Sequence, residues 1–227
     1  MDWFAPHDEY CERLSAAFWA EPLNAVSNFS FIIAAYFAYR LIKQHKQGGW
    51  DTYWLATLLF SIGIGSFLYH TFANLWSMLA DVIPILIFQI SIIGLYGAAI
   101  ARQKSINPWF GSVSFISAFI VLTWVFAQLP PDTLNGSIGY MSSIISLLVL
   151  GIYQYKNVNR EQKSLLYAAG LFAVSLVFRT FDHAICQSLP IGTHYLWHIT
   201  NGCVLFLAVK GYLELIREKK QRSLHRH

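Results

Sequence analysis

Charge is what this sequence has least of. Asp, Glu, Lys and Arg make up 12% of its 227 residues, about half the roughly 25% of an average soluble domain. With 56% hydrophobic residues and a mean hydropathy of +0.44, that shortage excludes an ordinary soluble globule and a disordered chain, and points to helices that use lipid as solvent. A nucleic-acid binder is excluded too. The net charge is only +4, and the 16 Lys and Arg fall in short clusters between apolar runs, with no basic face for phosphates. A cleavable signal is not expected either, because Met1 to Glu21 is acidic and interrupted by Pro6 where a signal needs a basic start and an apolar run. No repeat or low-complexity segment stands out. Against this background eight histidines need an explanation.

What is present is a series of long apolar runs. A spanning helix needs about 20 mostly apolar residues, and seven stretches reach that length: Ala25 to Lys43, Tyr53 to Thr71, Ser77 to Ile100, Trp109 to Leu129, Ile138 to Tyr155, Leu165 to Phe181 and Thr193 to Ile216. The expectation is an all-α chain, a single membrane-embedded domain over residues 1–227 built as a seven-helix transmembrane bundle with short Gly-, Pro- and Asn-containing linkers. Lys and Arg favour the cytoplasmic side of short loops. Arg40, Lys43 and Lys46 lie in the first loop, Arg102 and Lys104 in the third, Lys156, Arg160 and Lys163 in the fifth. The tail from 217 to 227 adds Arg217, Lys219, Lys220, Arg222 and Arg226, whereas loops two, four and six carry no Lys or Arg. The segment 1–24 is acidic, with Asp2, Asp8, Glu9, Glu12 and Glu21 against Arg13. The N-terminus is therefore expected outside and the C-terminus in the cytoplasm. Cys11 and Cys186 then lie on outward segments, where they either pair or remain two free thiols. Cys203, within the last span, is expected to be a small packing residue.

Four ionisable side chains fall in or beside the spans, where such groups are expensive and face a partner or a cavity. His70 closes the second span, Asp81 lies just over one turn into the third, and His194 and His198 open the seventh. The topology brings all four to the outer leaflet. His194 and His198, four apart, project from one helix face, a spacing that suits two ligands of a zinc. His70 offers a third nitrogen, and three neutral imidazoles leave a tetrahedral zinc one open position. The other reading is that each histidine bridges helices by hydrogen bonds. Ser66, four residues before His70, shares its face; alone, such a serine usually bonds to its own backbone. Asp81 must be paired, protonated or functional. Arg179 and Asp182, three apart, read as a structural pair, and Lys210 as a residue snorkelling to the inner interface. His7, His45, His183, His225 and His227 need no special role.

Three blocks resemble the alkaline ceramidase family, seven-helix membrane amidases in the wider group of adiponectin-receptor-like proteins. The first is Glu9-Tyr10-Cys11-Glu12 with Trp19-Ala20-Glu21-Pro22-Leu23-Asn24 and Ser27-Asn28. Gly65-Ser66-x-x-Tyr69-His70 with Asp81 forms the second, and Asp182-x-x-x-Cys186 leading to His194-x-x-Trp197-His198 the third. The resemblance runs from about Asp8 to Gly202. It implies zinc on His70, His194 and His198, Ser66 and Asp81 completing the active site, a lipid amide as substrate, and a Cys11–Cys186 disulfide. It also implies calcium near the zinc, with Glu9, Glu12 and Glu21 as ligands. Departures exist: Glu9 replaces the usual Asp, Tyr10 the usual Trp and Tyr69 the usual Phe, the spacing from Glu12 to Glu21 is short, and Tyr195-Leu196 replaces a more aromatic pair.

On that resemblance the expected function is hydrolysis of ceramide or a similar N-acyl lipid to a fatty acid and a free amine. Asp81 would be the general base and then return a proton to the leaving amine; Ser66 would donate to the forming oxyanion. The acyl chain would lie among Phe67, Leu68 and Trp197. The alternatives are a seven-helix receptor with a structural zinc and no turnover, and a retinal or proton-moving protein using Lys210 and Asp81. The retinal reading is weakened by depth, since Lys210 lies about 10 Å to the cytoplasmic side of the span's centre at 1.5 Å per residue.

Overall fold

A computed structural model describes residues 2–7, 9–45 and 48–224. Asp8, Lys46, His225, Arg226 and His227 lie outside the described residues. The chain is all-helical, with no strand among the described residues, and seven helical stretches are long and apolar enough to cross a membrane. Two helices make up the first of these. The short α1, Pro22–Ser27, opens on Pro22, a residue whose fixed φ suits a first helical position. It breaks from α2, Phe29–His45, at Asn28, whose side chain donates back to the Asn24 carbonyl at 2.8 Å. The others are α3 (Trp50–Phe72), α4 (Leu75–Gln103), α5 (Pro108–Phe126), α6 (Met141–Asn157, entered through a 3₁₀ turn at Ser137–Tyr140), α7 (Ser164–Phe181) and α8 (His194–Leu224).

The spans agree with the apolar runs but not always at their ends. α5 stops at Phe126 rather than Leu129, because residues 127–129 already form short-range turns before Pro130-Pro131, which cannot continue a helix. α4 runs to Gln103 rather than Ile100. Leu55, Leu59 and Ile62 of α3, Tyr96 of α4, and Val209 and Tyr212 of α8 form the centre of the core. By contrast only Phe119 of α5 is buried, while Trp109, Phe110 and Trp124 are exposed, as expected of an edge helix solvated by lipid. Cys203 is exposed on α8. It faces out of the bundle, not into a helix contact as expected, because the inward face of that turn belongs to Asn201 and Val204.

The packing of α3 against α4 sets the depth of the polar residues they carry. Pro84 lies inside α4 and has no N–H, so the Ala80 carbonyl loses its partner four residues on. That carbonyl lies against Gly65 of α3, where a Cβ would collide with it. Gly65 thus lets the two backbones approach, and Ser66 and Asp81, the next residues along, come to the same depth.

Candidate metal centre

The site forms where α3, α4, α7 and α8 end under the N-terminal segment. α3 and α4 are joined by a tight turn in which Ala73 adopts φ 40°. Asn74 caps α4 by accepting from Ser77 N at 3.2 Å, and the Ser77 hydroxyl accepts from Asn74 N at 3.0 Å. The N-terminal segment is laid over this turn by His7 N donating to the Ala73 carbonyl at 2.7 Å, and by the disulfide between Cys11 and Cys186. Asp182 fastens it further. Its carboxylate accepts from Cys11 N (3.2 Å), Thr193 N (2.6 Å) and His194 N (2.9 Å). The last two are free N–H groups at the start of α8, so Asp182 serves as a remote N-cap. The turn just before them needs Gly192, at φ +62°, where a Cβ would strike the same carboxylate.

His70, in the last turn of α3, and His194 and His198, in the first turns of α8, are brought together here. Each is about 98% or more buried, and each offers one ring nitrogen such that the three lie within 4.8 Å of one another. Their orientations are set from outside. His70 Nδ1 donates to Glu21 Oε2 at 2.6 Å, and since an ionised carboxylate only accepts, Nε2 is left as the lone-pair nitrogen. Glu21 also accepts from Asn24 Nδ2 at 3.0 Å and from Arg13 Nε. Burial pushes the Glu21 carboxyl up, but His70, Asn24 and Arg13 outweigh it and hold the group below the usual carboxylate range. The Ser27 hydroxyl donates to the Asn24 carbonyl at 2.8 Å and accepts from His198 Nδ1 at 2.7 Å, leaving Nε2 of that ring free as well. His194 stacks on Tyr10, with ring centroids 3.8 Å apart, and its buried Nδ1 has no partner among the described residues. Three imidazoles, two anchored from outside and one unpartnered, are a donor set that suits a zinc with an open position. The residues fit that metal.

Ser66 and Asp81 line one cavity with His194 and His198. Asp81 Oδ1 is buried without a partner among the described residues, and the Ser66 hydroxyl shares the cavity with that carboxylate. Trp197, Phe172 and Tyr140 close the cavity's far wall. A second, almost entirely apolar cavity continues from it. The two share Gln89, Phe172, Asn201 and Leu205, and the second reaches Tyr96 and Ala208, about 16 Å along α8 from Trp197 at 1.5 Å per residue.

Three expectations change. Phe67 and Leu68 do not line the cavity; Phe67 packs at the periphery with Trp19 and Phe29, because it points away from the face that Ser66 and His70 share. Arg179 and Asp182 are not a pair. Arg179 lies over the rings of Tyr140 and Trp197 (5.5 and 5.9 Å to the centroids) and donates to the Asn135 carbonyl, while Asp182 is occupied by three backbone N–H groups. Among the described residues the glutamates do not form a cluster of metal-ligating groups. Both Glu12 oxygens accept backbone N–H groups, from Leu23 (2.7 Å) and Asn24 (2.8 Å), Glu21 is held by Arg13, Asn24 and His70, and Glu9 is exposed beside His7. Sequence reasoning gave no role to Arg13, Ser27 or Asn24, although Ser27 and Asn24 stand in the first of the three blocks.

No curated protein matches the chain. The ceramidase family profile matches residues 7–227, nearly its full length and every residue of the site. The chain belongs to the ceramidase family, and that membership supports a multi-pass membrane amidase acting on ceramide.

Proposed function

We propose that the chain hydrolyses the amide bond of ceramide or a similar N-acyl lipid, yielding a fatty acid and a free amine, with zinc held by His70, His194 and His198. The observation that carries this reading is the cavity in which His194 and His198, clustered with the buried His70, face the Ser66 hydroxyl and a carboxylate with one unpartnered oxygen. When bound, zinc supplies Lewis acidity to the amide carbonyl and makes a water molecule nucleophilic near neutral pH. Asp81 accepts a proton from that water and returns it to the amine nitrogen as the C–N bond breaks. Ser66 donates to the carbonyl oxygen as charge develops on it. Glu21 and Ser27 hold the tautomers of His70 and His198. The apolar cavity beyond Gln89 and Asn201 takes a hydrocarbon chain, with Trp197 and Phe172 at its mouth. The alternation of Lys and Arg among the loops supports the outer leaflet as the side of this end of the bundle.

The receptor reading has less support. A structural zinc closes its fourth position with a protein ligand, and among the described residues no fourth His, Cys, Asp or Glu joins the cluster. The deciding experiment is metal analysis of the detergent-purified protein beside a hydrolysis screen of ceramides and other N-acyl lipids. One zinc per chain and chelator-sensitive release of fatty acid are expected. Zinc absent at stoichiometry, with no chelator-sensitive turnover, rejects the proposal.

A further inference from the structure

We infer that Arg13 is the built-in cation of this site: its guanidinium takes up Glu21, one of the three glutamates that the family resemblance would give to calcium, and the chain needs no calcium to hold the histidine cluster. Arg13 is buried, with its side chain 4% exposed against 2% for Glu21. A buried guanidinium is costly unless it is paired and hydrogen-bonded, and each of the three nitrogens here finds an oxygen. Nε donates to Glu21 Oε1, Nη1 to the Ser15 carbonyl at 3.2 Å, and Nη2 to the His70 carbonyl at 3.0 Å. One carboxylate and two backbone carbonyls are the oxygen donors a calcium ion collects. Here they are collected by a side chain.

The charges close on the same account. Glu21 sits between Arg13 and His70, so one anion serves the guanidinium on one oxygen and the imidazole on the other. A dication added beside a desolvated guanidinium would meet repulsion with little screening. The remaining acids give no substitute: Glu12 caps the start of α1 through two backbone N–H groups, and Glu9 is exposed. Arg13 thereby acts on the site twice. It fixes the carboxylate that orients His70, and it ties the N-terminal segment to the His70 backbone. It is a positioning residue, reaching no reacting atom itself.

The inference rests on the proposed function only in taking zinc as what the histidines hold. Its test uses the full-length protein in detergent. Terbium luminescence sensitised by the aromatic residues of the N-terminal segment reports a calcium site, and zinc retention against a competing chromogenic chelator is compared in calcium-depleted and calcium-replete buffer. Wild type is expected to give no stoichiometric terbium signal and the same zinc retention in both buffers. Arg13→Gln should weaken zinc retention roughly 10- to 100-fold, with Arg13→Lys recovering part of it. Stoichiometric terbium binding to wild type, or calcium-dependent zinc retention, overturns the inference, as does Arg13→Gln with wild-type zinc retention. If Arg13→Gln does not fold, the wild-type measurements still decide. If the protein holds no zinc, the proposed function fails while the terbium measurement continues to judge Arg13.

Discussion

The two ends of this bundle use charge in opposite ways. At the end under the N-terminal segment, Arg13, Glu21, His70, Asp182, His194 and His198 are buried, and most are bonded to named partners. At the other end the basic side chains stay at the surface. Arg40 and Lys43 lie over Tyr36 and Tyr39, and Lys104 and Lys163 over Tyr153 and Tyr155, at 5.4 to 6.0 Å from the ring centroids. That is an interfacial belt of cations and tyrosines, where long side chains keep their charge in water. A chain with little charge thus spends it on anchoring at one end and on a desolvated site at the other, and removing a charge should cost far more at the second.

Substitutions can break that contrast. His198→Ala should have the largest effect, abolishing stoichiometric zinc and chelator-sensitive hydrolysis, as read by metal analysis and fatty-acid release. Asp81→Asn should lower hydrolysis by about 10²- to 10⁴-fold, the range of a lost general base, while zinc content stays at the wild-type level. Ser27→Ala removes the acceptor on His198 Nδ1 and should weaken zinc retention roughly 10- to 100-fold, measured by chelator competition. Gly65→Ala drives a methyl into the Ala80 backbone and should cost about 1–3 kcal/mol in stability, visible in denaturant titration. Lys104→Ala at the opposite end should stay within about 0.5 kcal/mol with unchanged turnover. A large loss there would erase the contrast.

The spans were legible because a membrane imposes its thickness on sequence: twenty apolar residues leave a mark that no tertiary contact is needed to read. His70, His194 and His198 stood out for a related reason. Ionisable groups are rare in such runs, and four-residue spacing fixes two of them to one face. What was not legible is what holds them. Arg13 reaches a carbonyl 57 residues away and Asp182 caps a helix across an intervening turn, and neither contact leaves a periodic trace. Counting charges in the N-terminal segment made Arg13 a minor member of an acidic stretch, and spacing made Asp182 the partner of Arg179. In both cases burial decided differently: a desolvated ion takes the partners that surround it, not the nearest in sequence. Phe67 and Leu68 were misplaced more simply, since adjacent helical residues point in different directions.

The order of synthesis gives the disulfide a further meaning. Its two cysteines are 175 residues apart, and the histidine cluster likewise joins α3 to α8, the last helix made. When Cys11, Arg13 and Glu21 leave the ribosome, the residues they will enclose have not been translated. The N-terminal segment's bonds to Ala73 and His70 can form once α3 is made, but its disulfide partner and the other two histidines arrive only with Cys186, His194 and His198. A nascent chain stopped anywhere before the seventh span lacks two of the three clustered histidines, so the cluster is assembled only when the last helix is in place.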